Sequence, residues 1–138
     1  MLMLRIAAFM LLGLQTAHAQ YNSSITVQPV LKADTNAIGQ KIMYPHVPDA
    51  EVTILKITME PGKTTGWHKH EIPVFAYVLE GEITVEIDSN KTTVYGPGSA
   101  IAETRNVYHR GINYGKVNVV LLAFYIGAKN KKLSIPKE

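Results

Sequence analysis

The clearest pattern in the chain is Ile83-Thr84-Val85-Glu86-Ile87, where apolar and polar residues alternate strictly. A period of two puts Ile83, Val85 and Ile87 on one face and Thr84 and Glu86 on the other, which predicts a half-buried β-strand. Ser89-Asn90 follows as a hairpin turn, and Lys91 to Tyr95 reads as the return strand. Comparable signals lie on both sides. Glu51 to Met59 is rich in β-branched residues and stops at Pro61-Gly62, and Val74 to Leu79 is an apolar run stopped by Glu80-Gly81. Gly96-Pro97-Gly98 makes a further corner, and Val117 to Ile126 is almost unbroken β-former. No segment beyond Gln20 sustains a helical period. Many short strands separated by Gly and Pro turns predict an antiparallel all-β barrel or sandwich.

The first twenty residues follow other rules. Arg5 precedes an apolar run from Ile6 to Leu14, and Ala17-His18-Ala19 supplies a small-residue cleavage site before Gln20. The run is shorter than the about 20 residues a membrane span needs, so residues 1–19 read as a signal peptide cut after Ala19. The expected location is the periplasm or outside the cell, with no membrane insertion after cleavage. Residues 20–37 read as an irregular N-terminal arm, 38–127 as the barrel and 128–138 as a basic tail carrying Lys129, Lys131 and Lys132. That tail is expected to be a solvated terminus.

The chain has 138 residues and a net charge of +3, which the loss of Arg5 reduces by one. The length fits one domain, and so small a charge gives no electrostatic footprint for nucleic acid. There is no cysteine. Disulfides and thiolate sites are therefore excluded, and any metal must be held by nitrogen and oxygen.

Past the leader, the histidines are His46, His68, His70 and His109. In a strand, residues two apart share a face, so His68 and His70 project together and can grip one ion. His46, in Pro45-His46-Val47-Pro48, is expected to be exposed. Parity turns Glu71 and Tyr108 away from the neighbouring histidines, so Glu71 reaches an ion only if the chain bends at Ile72-Pro73. Glu103, in an apolar setting after Ala100-Ile101-Ala102, is expected to bond to a barrel neighbour, with a histidine-orienting role as its functional version. Trp67, Phe75, Tyr77 and Phe124 are expected in core or interface packing, and Tyr44 and Tyr95 are candidates to line a pocket.

The spacing of Gly62, His68, His70 and Gly81, followed by Gly98, His109 and Asn113, resembles the two motifs of the cupin family. The resemblance runs from about Ile38 to Gly127 and implies a small, single-domain, RmlC-like jelly roll, the double-stranded β-helix. It implies one divalent metal ion (Fe, Mn, Ni or Zn) on His68, His70 and His109, with Glu71 or Glu103 as a fourth ligand or a supporting group. The chain departs from the family pattern at three places. Val74 stands where the family has its glutamate ligand, and Thr104 and Asn106 stand where Pro and Gly are usual. Asn tolerates the same left-handed backbone as Gly, so the turn is expected to survive.

Three neutral ligands leave a divalent ion its full charge, which attracts an anionic or enolate-like small molecule. The resemblance then implies a metal-dependent enzyme, dioxygenase-like or an isomerase or lyase, or else a non-catalytic module that binds or senses a small molecule or metal. A homodimer is expected because small barrels of this kind have edge strands to cover. The Val117–Ile126 strand and the N-terminal arm are the candidate partners across a two-fold.

Overall fold

The computed structural model describes residues 25–138. The expected signal peptide therefore lies outside the described residues. Among those described, no helix forms, and nine strands build two sheets that face one another. The strands are β1 (Ala50–Met59), β2 (His68–Lys69), β3 (Val74–Glu80), β4 (Ile83–Ile87) and β5 (Lys91–Tyr95). They continue with β6 (Ala100–Ala102), β7 (His109–Ile112), β8 (Val119–Ala128) and β9 (Ile135–Pro136). One sheet has the order β1-β8-β3-β6, the other β5-β4-β7-β2-β9, and every strand pair is antiparallel. This is the antiparallel all-β architecture that the strand pattern predicts and the jelly roll that the resemblance implies.

The period-two faces are seated as expected except that Thr84, on the outer face, is also buried. Ile83 and Ile87 are buried, whereas outward-pointing Glu86 pairs with Arg110 at 2.8 Å. The core forms where Val74, Ala76 and Val78 of β3 meet Val119, Leu121, Ala123 and Tyr125 of β8. The opposite faces of these strands carry Phe75, Tyr77 and Phe124, half-buried on the outside of the sheet. The hairpin turn contains Asn90 at φ 61°, and Asn106 takes φ 59°, so both asparagines adopt the left-handed backbone. Gly81 is required where it stands: its φ is +69°, and a Cβ there would lie 2.4 Å from the Asn118 carbonyl oxygen.

Two elements differ from the sequence expectation. The last long strand is shifted two residues onward and lies inside its sheet, its backbone used by β1 on one side and β3 on the other. With a neighbour on each side, β8 has no edge for pairing across a two-fold; among the described residues, β1 and β6 are the two end strands of that sheet. The C-terminal segment also does more than trail into solvent. Lys129, Lys131 and Lys132 are exposed, but β9 then pairs with β2, setting His68 opposite Pro136 and Lys69 opposite Ile135.

Candidate metal centre

Two strands and the residue just past one of them deliver the histidines. His68 and His109 are direct partners across β2 and β7, so their side chains project to the same face. His70 follows two residues after His68, bridged to Arg105, and is almost completely buried. Their ring centroids lie 4.6 to 5.0 Å apart. One ring nitrogen from each of the three lies within 4.8 Å of the others.

Each ring is fixed from behind. His70 Nδ1 donates to the Leu133 carbonyl at 2.7 Å, and His68 Nδ1 to the Gly66 carbonyl at 2.9 Å. His109 Nδ1 donates to the Val107 carbonyl at 3.1 Å and lies 3.0 Å from Thr104 Oγ1. These acceptors select the Nδ1–H tautomer and leave the Nε2 lone pairs for an ion. Thr104, the departure from the usual proline, thus contributes to the seat of His109.

Glu103 enters the same space. Its Oε2 is 3.1 Å from Nε2 of His70 and 3.1 Å from Nε2 of His109. Burial pushes the Glu103 carboxyl up, but hydrogen bonds from His109 and His70 and their charge outweigh this and hold it well below the usual carboxylate range. Burial lowers His109, yet its bond to Glu103 and that group's charge raise it above 6.5 overall. His68 is lowered, chiefly by burial.

The donor set fits a divalent cation. Both nitrogens of His70 and of His109 face oxygen acceptors, an arrangement neutral imidazole cannot satisfy with its single proton. One ion shared by the converging Nε2 atoms satisfies both rings and the carboxylate together.

These groups line a cavity of about 480 Å³ whose other walls are largely apolar, among them Ile57, Met59, Val85, Ile101 and Leu121. Tyr125 lines it too, its ring edge-on to His70 at 5.7 Å, and burial followed by the Glu103 charge pushes its phenol up to about 12. Trp67 sits at the cavity under Arg110 and Lys137, whose charged groups lie 4.9 and 5.5 Å from its ring.

Other candidates fall elsewhere. Glu71 is exposed beside a separate groove with Ile72 and Arg105. His46 is exposed, and Tyr108 points outward, where Lys69 and Lys137 stack on it. Tyr44 is exposed, and Tyr95 packs against the core instead of lining this cavity. Sequence reasoning passed over Tyr125 and the Leu133 carbonyl. Strand parity with Ala123 and Leu121 could have found Tyr125; no local signal marks Leu133.

A jelly roll with three histidines converging inside it defines a small β-barrel whose interior is arranged to hold a metal ion. The cupin-domain family model matches residues 55–125, and the chain belongs to the cupin family. Solved structures agree on the fold. The DMSP lyase DddQ from Ruegeria pomeroyi DSS-3 aligns with a TM-score of 0.55 and 16% identity over 62% of this chain and 43% of that one. KdgF from Halomonas sp. aligns at 0.51 with 18% identity, over 62% of this chain and 77% of that one. A cupin domain (bp2299) from Bordetella pertussis Tohama I gives 0.51 and 21% identity, over 63% of this chain and 99% of that one. The aligned region spans less than half the length of DddQ. No curated protein matches the chain significantly.

Proposed function

We propose that this chain is an exported, metal-dependent cupin that binds a small, mainly apolar molecule through oxygen donors, with His68, His70 and His109 holding one divalent ion. The convergence of one ring nitrogen from each of three histidines inside an apolar cavity carries this reading. A bound iron, manganese, nickel or zinc ion would supply Lewis acidity, and a redox-active one oxygen chemistry as well. The chain's own residues hold, orient and shield. Leu133, Gly66 and Val107 carbonyls keep the imidazoles turned inward. The apolar walls exclude water and favour a substrate with an apolar body, such as a diketone or a phenol. Tyr125, protonated at neutral pH, offers a hydrogen bond to a ligand oxygen.

Export rests on the leader pattern of residues 1–19. A homodimer is supported by the end-strand position of β1 among the described residues and by Val52 and Ile54 on its exposed outer face, each more than half exposed. Native mass measurement tests the dimer, and N-terminal sequencing of secreted protein tests cleavage after Ala19.

A non-catalytic binding module is the second reading, favoured by Val74 in place of the family's glutamate. Elemental analysis of protein exported by its native host, then oxygen uptake and product analysis with diketones and phenols, separates the two. Turnover establishes the enzyme, and saturable binding without turnover establishes the module. Protein that stays metal-free and gains no stability from iron, nickel or zinc refutes the metal centre itself.

A further inference from the structure

The acid missing at position 74 has a replacement directly across the sheet. β3 and β6 pair with Phe75 opposite Ala102, and the Glu103 amide donates to the Val74 carbonyl at 2.9 Å. Positions 74 and 103 therefore face each other, and residues so placed project to the same side with Cβ atoms about 5 Å apart. A carboxylate on either strand addresses the same space. Val74 spends its place on core packing, and Glu103 sends its carboxylate inward.

What Glu103 meets there decides its role. A residue that orients a metal-bound histidine holds the ring nitrogen pointing away from the ion. Those positions are occupied by the Leu133, Gly66 and Val107 carbonyls. Glu103 instead reaches the converging nitrogens, 3.1 Å from Nε2 of both His70 and His109. Once an ion takes those lone pairs, neither ring keeps a proton there for the carboxylate to accept. The ion itself is then its partner.

We propose that Glu103 is the fourth protein ligand, the acid of the family pattern moved one position across the β3–β6 pair. This rests on the reading of the site as a metal centre. The centre is then three imidazoles and one carboxylate, which lowers the net charge of a bound divalent ion from +2 to +1. It also moves the anionic ligand from the β3 side of the site to the β6 side, so the positions open to substrate differ from those of a site with the acid on β3.

The test uses full-length mature protein with Zn²⁺ and Co²⁺ as probes, comparing wild type, Glu103→Gln and the exchange Val74→Glu/Glu103→Val. Affinity is read by chelator competition and coordination by the visible spectrum of the Co²⁺ form. Supporting a histidine from outside the coordination sphere is worth about 10- to 100-fold in affinity. E103Q is expected to lose more than that and to alter the Co²⁺ spectrum, and the exchange to recover most of the affinity. If wild type binds and E103Q binds within a few-fold with an unchanged spectrum, Glu103 is not a ligand. Lower affinity with an unchanged spectrum also overturns the assignment, since the carboxylate would then act from outside the coordination sphere. If wild type binds neither ion, the metal centre itself fails. Should E103Q not fold, wild type carrying ¹³C-carboxyl glutamate decides: Zn²⁺ must shift one glutamate resonance, and no shift refutes the proposal.

Discussion

The carbonyl oxygen of Leu133 accepts a hydrogen bond from Nδ1 of His70 at 2.7 Å, across 63 residues of chain. It ties the C-terminal segment to the histidine cluster, as does β9, which pairs with the strand carrying His68. The Lys137 amide closes the same edge by donating to the Trp67 carbonyl at 2.9 Å. Deleting residues 133–138 removes the partner that holds His70 in its tautomer. Metal affinity is expected to fall about 10- to 100-fold, the usual effect of losing such support. Circular dichroism should still report a folded β-protein, because β1, β3 and β8 keep their packing. Chelator competition on the truncated and full chains checks this.

His109→Ala or His68→Ala takes one of three converging nitrogens away and should reduce bound metal to background at equimolar supply. His46→Ala, at an exposed loop position, should retain the wild-type stoichiometry. Mass-spectrometric metal analysis of the three variants reads the result. Equal metal in all of them would mean the ion sits elsewhere.

Metal binding and protons compete at His109, whose pKa in the metal-free protein lies above 6.5. Its ion pair with Glu103 stabilises the metal-free fold fully below the unfolded value of 6.5 and is lost as pH rises through the higher folded value. The lowered Glu103 works in the other direction, contributing above 4.5 and losing its contribution as pH falls through its folded value. The pair is thus at full strength between those two reference values. Added Zn²⁺ must displace the His109 proton, so its increment to Tm should grow as pH rises from about 5.5 to 8. Thermal melts with and without Zn²⁺ at both pH values test the sign.

Asn113 completes the second histidine motif, yet its side chain holds backbone and lies outside the cavity lining. Buried completely, it donates from Nδ2 to the Met59 and Val117 carbonyls at 2.9 and 2.8 Å and accepts from the Gly115 amide at 2.9 Å. Asn113→Ala leaves these backbone groups without their partner and should cost about 2–4 kcal/mol of stability. Metal stoichiometry per folded molecule should stay unchanged. Denaturant melts paired with metal analysis separate this structural role from a ligating one.

The strands were legible because their signal is local. Ile83-Thr84-Val85-Glu86-Ile87 declares its buried face through alternation alone, and β4 and β5 lie where the pattern puts them. His68, His70 and His109 could be grouped by spacing because the family pattern encodes their distance along the chain. The left-handed turn at Asn106 followed from residue chemistry.

What remained hidden depends on which strands lie side by side. Glu103 is a lone acid in an apolar stretch until the β3–β6 register sets it against Val74 and turns it toward His70 and His109. Leu133 shows no sign of a role because a backbone carbonyl carries no side-chain identity, and only the pairing of β9 with β2 brings it to His70. That β1 is an end strand and β8 an interior one likewise follows from sheet order. By itself the sequence determined the all-β class and the faces of the strands, which rest on periodicity within short segments, and the three histidines, which the family resemblance grouped. Tertiary structure decided between Glu71 and Glu103, docked the C-terminal strand and fixed the order of the strands in each sheet, because each depends on contacts between segments far apart in the chain.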